Sequence, residues 1–315
     1  WWLSLRESHL RFQIGKKERD AWIGQMKRAL GDVEMSEPMR KSLEELFEES
    51  SAYLVTAGPA VEAAKRQSEL SGIHAQIAKR WEEQRALDEA VAAVREGELG
   101  KVIALVECPL LRARFSRSRA VFAHFVSVLI ESGNGVLAEY GQRLLCANPD
   151  LAHERYGGRT LLHAASAAGI WGTVTDLLKL GIDANIQDDG GHTPLYSVGN
   201  ECSGGGPVVR ALIQGGANVD ACDGAKRCTA LHMAARRGNV EAAEALLECG
   251  ANIEARDSLG ETPLRRAVNC GKTSVAALLL AKGADPHSPG KKGLTPLSAA
   301  RAAEMRSLLQ TWARA

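Results

Sequence analysis

The sequence has few aromatic residues and almost no net charge. Phe, Trp and Tyr make up 5% of its 315 residues, and the formal net charge at pH 7 is +1. With so few aromatics, a core must be built mainly from Leu, Val, Ile and Ala, which favours closely packed helices. The balanced charge provides no bulk attraction to nucleic acid or to an anionic membrane. No run of 18 apolar residues predicts a membrane-spanning helix, so we expect neither nucleic acid nor membrane as a partner.

The motifs of common enzyme classes are also missing. The seven cysteines form no C-x-x-C pair, and the sequence contains no G-x-S-x-G motif, no nucleotide-binding loop and no cluster with metal-ligand spacing. An odd number of scattered cysteines predicts reduced thiols and a cytoplasmic location. The triple glycine within residues 201–207 is not followed by Gly-Lys-Ser/Thr, so it predicts a loop insertion and not a phosphate site. We therefore expect a protein that is not an enzyme.

One motif recurs through the second half of the chain. It appears as TLLHAASAAG, TPLYSVGN, TALHMAARRGN, TPLRRAVNCG and TPLSAARAA, with spacings of 33, 36, 33 and 33 residues between the opening threonines. The first four copies are followed by a second landmark, which reads GIDAN, GANVD, GANIE and GADPH in turn. The threonine can cap a first helix, the leucine one or two residues later points into the seam between units, and apolar residues at helical spacing predict a second helix.

These units resemble the ankyrin repeat, because residue type, spacing and both landmarks recur together. The resemblance implies an all-α solenoid whose concave face, made of turn tips and first helices, binds protein partners. Two weaker echoes upstream are interpreted as degenerate units. We therefore predict degenerate ankyrin-like repeats over 86–159 and ankyrin repeats with a C-terminal cap over 160–315, with the 201–207 insertion between the two helices of the longer unit.

Polar residues on the predicted partner-binding face are candidates for contact with a protein partner. Each of them, taken singly, is also compatible with an ordinary solvated side chain. The candidates are Arg236, Arg237, Asn239, Arg265, Arg266 and Asn269.

The first 57 residues carry a different pattern. The matching positions are Leu5, Arg6, His9, Phe12, Ile14, Gly15, Glu18, Arg19, Asp20, Ala21 and Trp22. They resemble the proximal half of a group II truncated haemoglobin, and the segment LEELFEESSAYL is similar to the last helix of that family.

The resemblance implies a haem site. His9 would be the proximal ligand of the haem iron, Phe12 and Ile14 would line the proximal face, and Trp22 would donate its indole N–H to an iron-bound ligand. It also implies that the distal half of the pocket precedes Trp1 in a longer product. An exposed histidine near a chain end is the alternative interpretation of His9.

The sequence thus predicts an all-α protein in which an ankyrin-repeat helical solenoid is preceded by the C-terminal helices of a globin-like domain. The predicted parts are a partial truncated-globin domain at 1–57, a helical connector at 58–85, and the two repeat regions. The predicted function is a protein–protein interaction scaffold attached to the globin segment. The alternative is a haem protein that binds oxygen or another diatomic ligand through His9, with the repeat array as its output module.

Overall fold

The regular secondary structure of the described residues is helical. The computed structural model describes residues 16–31, 36–37, 40–41, 43–45, 48, 60–201, 205–224, 226–290 and 293–313. Strands are absent from these residues, and one isolated bridge joins Tyr156 to Arg159 within a turn. The all-α prediction is therefore confirmed for the described residues. The chain divides into two compact units, Trp1–Glu82 and Glu83–Ala315.

The first unit contains the helix Lys16–Gly31, which is tied to Glu48. Arg19 donates a hydrogen bond to the backbone carbonyl of Glu48, and Lys27 forms an ion pair with its carboxylate. The hydrogen bond between the two side chains raises the pKa of Lys27 and lowers that of Glu48. A second helix, Ala60–Glu96, begins in this unit and ends in the second one.

The second unit begins with helices that lie before the repeated motif. They are the end of Ala60–Glu96, then Leu99–Glu107, Pro109–Arg117, Arg119–Glu131 and Gly135–Ala147, followed by the 3-10 helix Pro149–His153. Three of the five phenylalanines of the chain lie here, and Phe115 stacks on Phe122 with ring centroids 4.5 Å apart. The sequence did not predict Pro109–Arg117, which lies between the two predicted degenerate units.

Five helix pairs follow, which we number repeats 1 to 5. Each first helix begins directly after the threonine of its motif, and Thr160, Thr229, Thr262 and Thr295 occupy the N-cap position, as predicted. The pairs are Leu161–Ala168 with Trp171–Lys179, Pro194–Glu201 with Gly206–Gln214, Ala230–Arg237 with Val240–Glu248, Pro263–Asn269 with Thr273–Ala281, and Pro296–Ala299 with Ala303–Ala313.

The repeats stack through their first helices and, separately, through their second helices. The motif leucines Leu161, Leu195, Leu231 and Leu264 are fully or almost fully buried in the seams, as predicted. Helices of repeats 2 and 3 approach so closely that a Cβ atom on Gly199 would lie 2.5 Å from the carbonyl oxygen of Ala230. Such packing explains how a core with few aromatics can be closed.

Repeat 2 is three residues longer than its neighbours, and its extra residues lie in two places. From the capping threonine to the start of the second helix there are 13 positions in repeat 2 (Thr193 to Gly206) and 11 in repeat 3 (Thr229 to Val240). The third residue lies in the following turn, where the N–H of Asp223 donates to the carbonyl of Cys228, five positions on. In the corresponding turns the N–H groups of Asp188 and Asp257 donate to carbonyls four positions on. The prediction that the insertion lies between the helices therefore holds for two of the three residues.

The extra residue changes the backbone of that turn. The corresponding turns place Gly191 and Gly260 at φ +76° and +68°, whereas this one places Arg227 at φ +51°. A non-glycine residue in this region is strained because its Cβ approaches the following carbonyl oxygen.

Candidate partner-binding site

The fourth residue of the motif joins neighbouring repeats in repeats 1, 3 and 4. In repeats 1 and 3 it is His163 and His232, both fully buried. Nδ1 of His232 accepts a hydrogen bond from the backbone N–H of Thr229 at 3.2 Å, so Nε2 carries the proton and donates to the carbonyl of Glu261 at 3.0 Å. His163 makes the same contacts at 3.3 Å and 3.0 Å. Each ring therefore joins its own helix start to the turn of the next repeat.

Burial lowers the pKa of both histidines. The backbone carbonyl that each ring contacts opposes this shift but does not overcome it. The neutral form is favoured because charging the ring would cost desolvation and would remove the acceptor at Nδ1. His163 and His232 therefore have a structural role.

Arg265 occupies the same position in repeat 4. It is 7% exposed, and its guanidinium donates to the carbonyl of Thr295 in repeat 5. Asn239, another predicted contact residue, is 8% exposed, and its side-chain oxygen caps the second helix of repeat 3 by accepting from the N–H of Ala242 at 3.0 Å. Both side chains therefore stabilise the repeat array. Their register was visible in the sequence: Arg265 stands three residues after Thr262, and Asn239 directly precedes a helix.

Arg266 and Asn269 lie nearer the surface of repeat 4. Nε of Arg266 donates to the carboxylate of Asp257 at 2.8 Å and lies 3.3 Å from Glu261. The Asp257 side chain is fully buried and also accepts the N–H groups of Leu259 and Glu261 at 2.8 Å and 2.9 Å. Asn269 is exposed and donates to the Glu261 carboxylate at 3.3 Å. Arg266 is thus mostly committed to the turn beneath it.

Arg236 and Arg237 are both exposed, at the last turn of the first helix of repeat 3. They border a groove of about 290 Å³ that we call the arginine groove. The turns before repeats 1 and 2 and the first helices of repeats 2 and 3 form it. Its main lining residues are Arg159, His192, Tyr196, Met233, Arg236 and Arg237.

The single carboxylate that lines the arginine groove is held within its own turn. Asp188 accepts the backbone N–H groups of Gly190 and His192 at 2.8 Å each, and Nδ1 of His192 lies 3.1 Å from both of its oxygens. Burial opposes ionisation of this carboxyl, but these hydrogen bonds outweigh it and lower the pKa of Asp188. The charge that remains accessible in the groove is therefore mainly positive.

An aromatic pair and a thioether form the less polar part of the arginine groove. The His192 ring stacks on Tyr196 with centroids 4.4 Å apart, and Met233 is only 3% exposed. Burial, reinforced by the charge of Asp223, raises the pKa of Tyr196 to about 12. Tyr196 is therefore neutral at physiological pH, and the groove combines guanidinium groups with this uncharged phenol.

A second depression, of about 480 Å³, lies between the turns that follow repeats 2, 3 and 4. Its central side chain, Arg256, donates to the carbonyl of Pro289 at 2.6 Å and to the hydroxyl of Ser288 at 2.9 Å. This guanidinium joins adjacent turns, so the depression is a by-product of turn packing more than a prepared site.

The predicted haem residues are mostly beyond the part of the chain that the structure describes. His9, Phe12 and Ile14 lie outside the described residues, and Trp22 is half-buried on Lys16–Gly31. Among the described residues, no group of three or more His, Cys, Asp or Glu side chains is arranged to hold a metal ion. In that same part, none of the helices is both long and apolar enough to span a membrane.

Comparison with known proteins identifies the repeats. Residues 198–290 match the family model for ankyrin repeats, in three copies. The presence of ankyrin repeats is thus confirmed, and the chain contains them over residues 198–290. The globin resemblance of residues 1–57 stays a prediction.

Similar proteins are larger than this chain. The human Ankyrin repeat and SOCS box protein 16 is 36% identical over 155 residues, which cover 45% of this chain and 33% of that protein. Human Rabankyrin-5 is 33% identical over 182 residues, covering 50% and 15%. L-asparaginase of Dirofilaria immitis is 29% identical over 163 residues, covering 51% and 27%. The chain spans a third or less of the length of these relatives.

Proposed function

We propose that this chain is a protein-interaction scaffold that binds a protein partner on the concave face formed by its turns and first helices. The arginine groove carries the proposal. Arg236 and Arg237 are exposed beside a stacked aromatic pair, and arginine and aromatic side chains are the residues that most often dominate binding energy at protein interfaces. The ankyrin repeats of the relatives support the same role, which involves no catalytic step.

The other four predicted residues contribute to this face in different ways. Arg266 and Asn269 extend the polar surface onto repeat 4. Asn239 and Arg265 act indirectly, because the first caps a helix next to Arg237 and the second joins repeat 4 to repeat 5. We therefore expect substitutions of Arg236 and Arg237 to change affinity with little loss of stability, and substitutions of Asn239 and Arg265 to change stability first.

A random peptide library selected on the full chain tests the proposal. The selected peptides are then measured on two variants that each lose two positive charges. Arg236→Ala/Arg237→Ala alters the groove, and Arg143→Ala/Lys179→Ala alters exposed positions on Gly135–Ala147 and on the second helix of repeat 1. We expect the groove variant to bind about tenfold more weakly or worse, as for the loss of an interface arginine, and the control to bind as the original chain does. Equal affinity for all three proteins would refute the location of the site.

We propose haem binding through His9 as a second candidate function, with the repeat array as its output module. The pattern between Leu5 and Trp22 supports it. Bound haem would supply an iron centre for oxygen or another diatomic ligand, with Phe12 and Ile14 against its proximal face. Haem titration of the full chain should then produce a sharp Soret band that His9→Ala loses. A broad band identical in both proteins would exclude this candidate.

A further inference from the structure

We propose that the segment of the partner bound in the arginine groove is acidic. This inference rests on the proposed function and names the chemistry of its ligand. Carboxylates of an extended Asp- and Glu-containing stretch would pair with Arg236 and Arg237, and one apolar side chain of the stretch would lie against Tyr196 and Met233.

The charge distribution of the groove carries the first step. Three guanidinium groups line it, those of Arg159, Arg236 and Arg237. The Asp188 carboxylate is 14% exposed; its Oδ1 accepts two backbone N–H groups of its own turn, and its Oδ2 lies 3.1 Å from Nδ1 of His192. Glu131 lies 3.7 Å from Arg159 and partly neutralises it. Arg236 and Arg237 are exposed whereas Arg159 is half-buried, so the first two are the principal attraction for an anionic ligand.

The geometry of guanidinium favours carboxylates. Each planar group presents paired N–H donors that match the two oxygens of a carboxylate, and such charge-assisted pairs are stronger than neutral hydrogen bonds. Two adjacent arginines on one helical turn can bind consecutive or alternate acidic side chains of an extended peptide. Lysines in the same places would provide charge without this directional match.

The same observations disfavour a nucleic acid as the ligand. The net charge of the chain is +1, and the guanidinium groups form one local cluster in the groove. Nucleic acids are usually bound by a basic stripe that neutralises many phosphates, often with several exposed aromatic rings for stacking. The single aromatic pair here is half-buried and already stacked on itself.

The size of the groove indicates that it holds one or a few side chains of a protein partner and not a small-molecule ligand. Its volume of about 290 Å³ is at or below the lower end of the roughly 300–1,000 Å³ typical of small-molecule pockets. Met233 at its floor is adaptable in shape, and the neutral phenol of Tyr196 borders it. One apolar residue between acidic neighbours fits this combination.

The composition of the selected peptides tests the inference. We expect ligands selected on the full chain to be enriched in Asp and Glu over the starting library. Replacing those residues by Asn and Gln should weaken binding about tenfold or more, because charge-assisted pairs are lost, and added salt should weaken the acidic ligands most. Selection on Arg236→Glu/Arg237→Glu should enrich Lys and Arg instead, and circular dichroism should show that this variant folds. Arg236→Gln/Arg237→Gln, which keeps polarity but removes charge, should lose the acidic ligands.

Two outcomes would overturn the inference. Ligands that depend on Arg236 and Arg237 but carry no excess of acidic residues would refute the acidic partner and leave the proposed scaffold standing. An oligouridylate that binds the groove more tightly than the selected peptides would refute it in favour of a nucleic acid. If no selected ligand depends on the two arginines, both the inference and the proposed site fail together.

Discussion

Replacing His232 by alanine should destabilise repeats 3 and 4 by about 3 kcal/mol. The ring is fully buried and contacts the N–H of Thr229 at 3.2 Å, the Thr229 hydroxyl at 2.9 Å and the carbonyl of Glu261 at 3.0 Å. Its removal leaves a buried donor and a buried acceptor without their partner, at about 1–3 kcal/mol each, and adds a small cavity. The two costs add to about 2–6 kcal/mol, and partial relaxation of the turn keeps the expected loss in the lower half of that range.

The destabilisation caused by His232→Ala should also depend on pH and should be smaller at low pH. Burial holds the pKa of His232 below its usual 6.5 in the folded chain, so the unfolded chain binds more protons once the pH falls below that value. The stability that the neutral ring contributes is present above the unfolded pKa and declines as the pH falls through and below it, by at most about 1.4 kcal/mol per pH unit. The alanine variant lacks this decline. The difference in unfolding free energy between the two proteins should therefore shrink from about pH 7.5 to about pH 5.5.

Urea unfolding at both pH values, with hydrogen exchange to locate the loss, measures these quantities. Exchange should accelerate in repeats 3 and 4 more than in repeat 1, since neighbouring repeats share their stability. His163→Ala is the matched variant and should behave alike around repeats 1 and 2. The exposed His287→Ala should stay within about 0.5 kcal/mol at either pH. A His232→Ala effect that is below about 1 kcal/mol, or the same at both pH values, would refute the assignment of a buried neutral ring.

Three further outcomes follow from turns and buried groups. Arg227→Gly should raise the unfolding free energy by about 0.5–1 kcal/mol, because relief of the left-handed strain exceeds the entropy cost of glycine. Gly260→Ala should lower it by about 1 kcal/mol, because alanine is strained at a positive φ. Urea unfolding that shows the opposite signs would contradict this. Burial raises the pKa of the Cys228 thiol to about 11, so iodoacetamide should label it about 100-fold more slowly than the exposed Cys222, and equal rates would argue against its burial. Asp257→Ala should cost about 3 kcal/mol, because a buried carboxylate that pairs with a guanidinium is lost; a loss under 1 kcal/mol in thermal unfolding would show that the pair is dispensable.

Local features of the repeats could be predicted from the sequence. Thr160 and Thr229 cap helices because the residues that satisfy a helix start lie within one turn of it. Leu231 points into a seam because helical periodicity alone determines which face of a helix is apolar. The helix Pro109–Arg117 has no counterpart in the repeated motif, and periodicity therefore did not indicate it.

The candidate site could be predicted only in part. Arg236 and Arg237 were expected on the surface and are exposed. Arg265 was expected beside them, but its guanidinium points to a carbonyl of the next repeat. His9, Phe12 and Ile14 still rest on sequence resemblance alone.

The sequence by itself determined that the chain is helical, that a unit of about 33 residues recurs, and where the first helix of each repeat begins. These properties depend on neighbours close along the chain. Tertiary structure decided which polar side chains form hydrogen bonds across repeats, since their partners come from the next repeat. Asn185 donates to the carbonyl of Gly216 at 2.8 Å, and Asp220 accepts the N–H of Asn252 at 2.9 Å, each across more than 30 residues. Only stacking brings such groups within hydrogen-bonding distance, and the same stacking places Arg236 and Arg237 beside Tyr196.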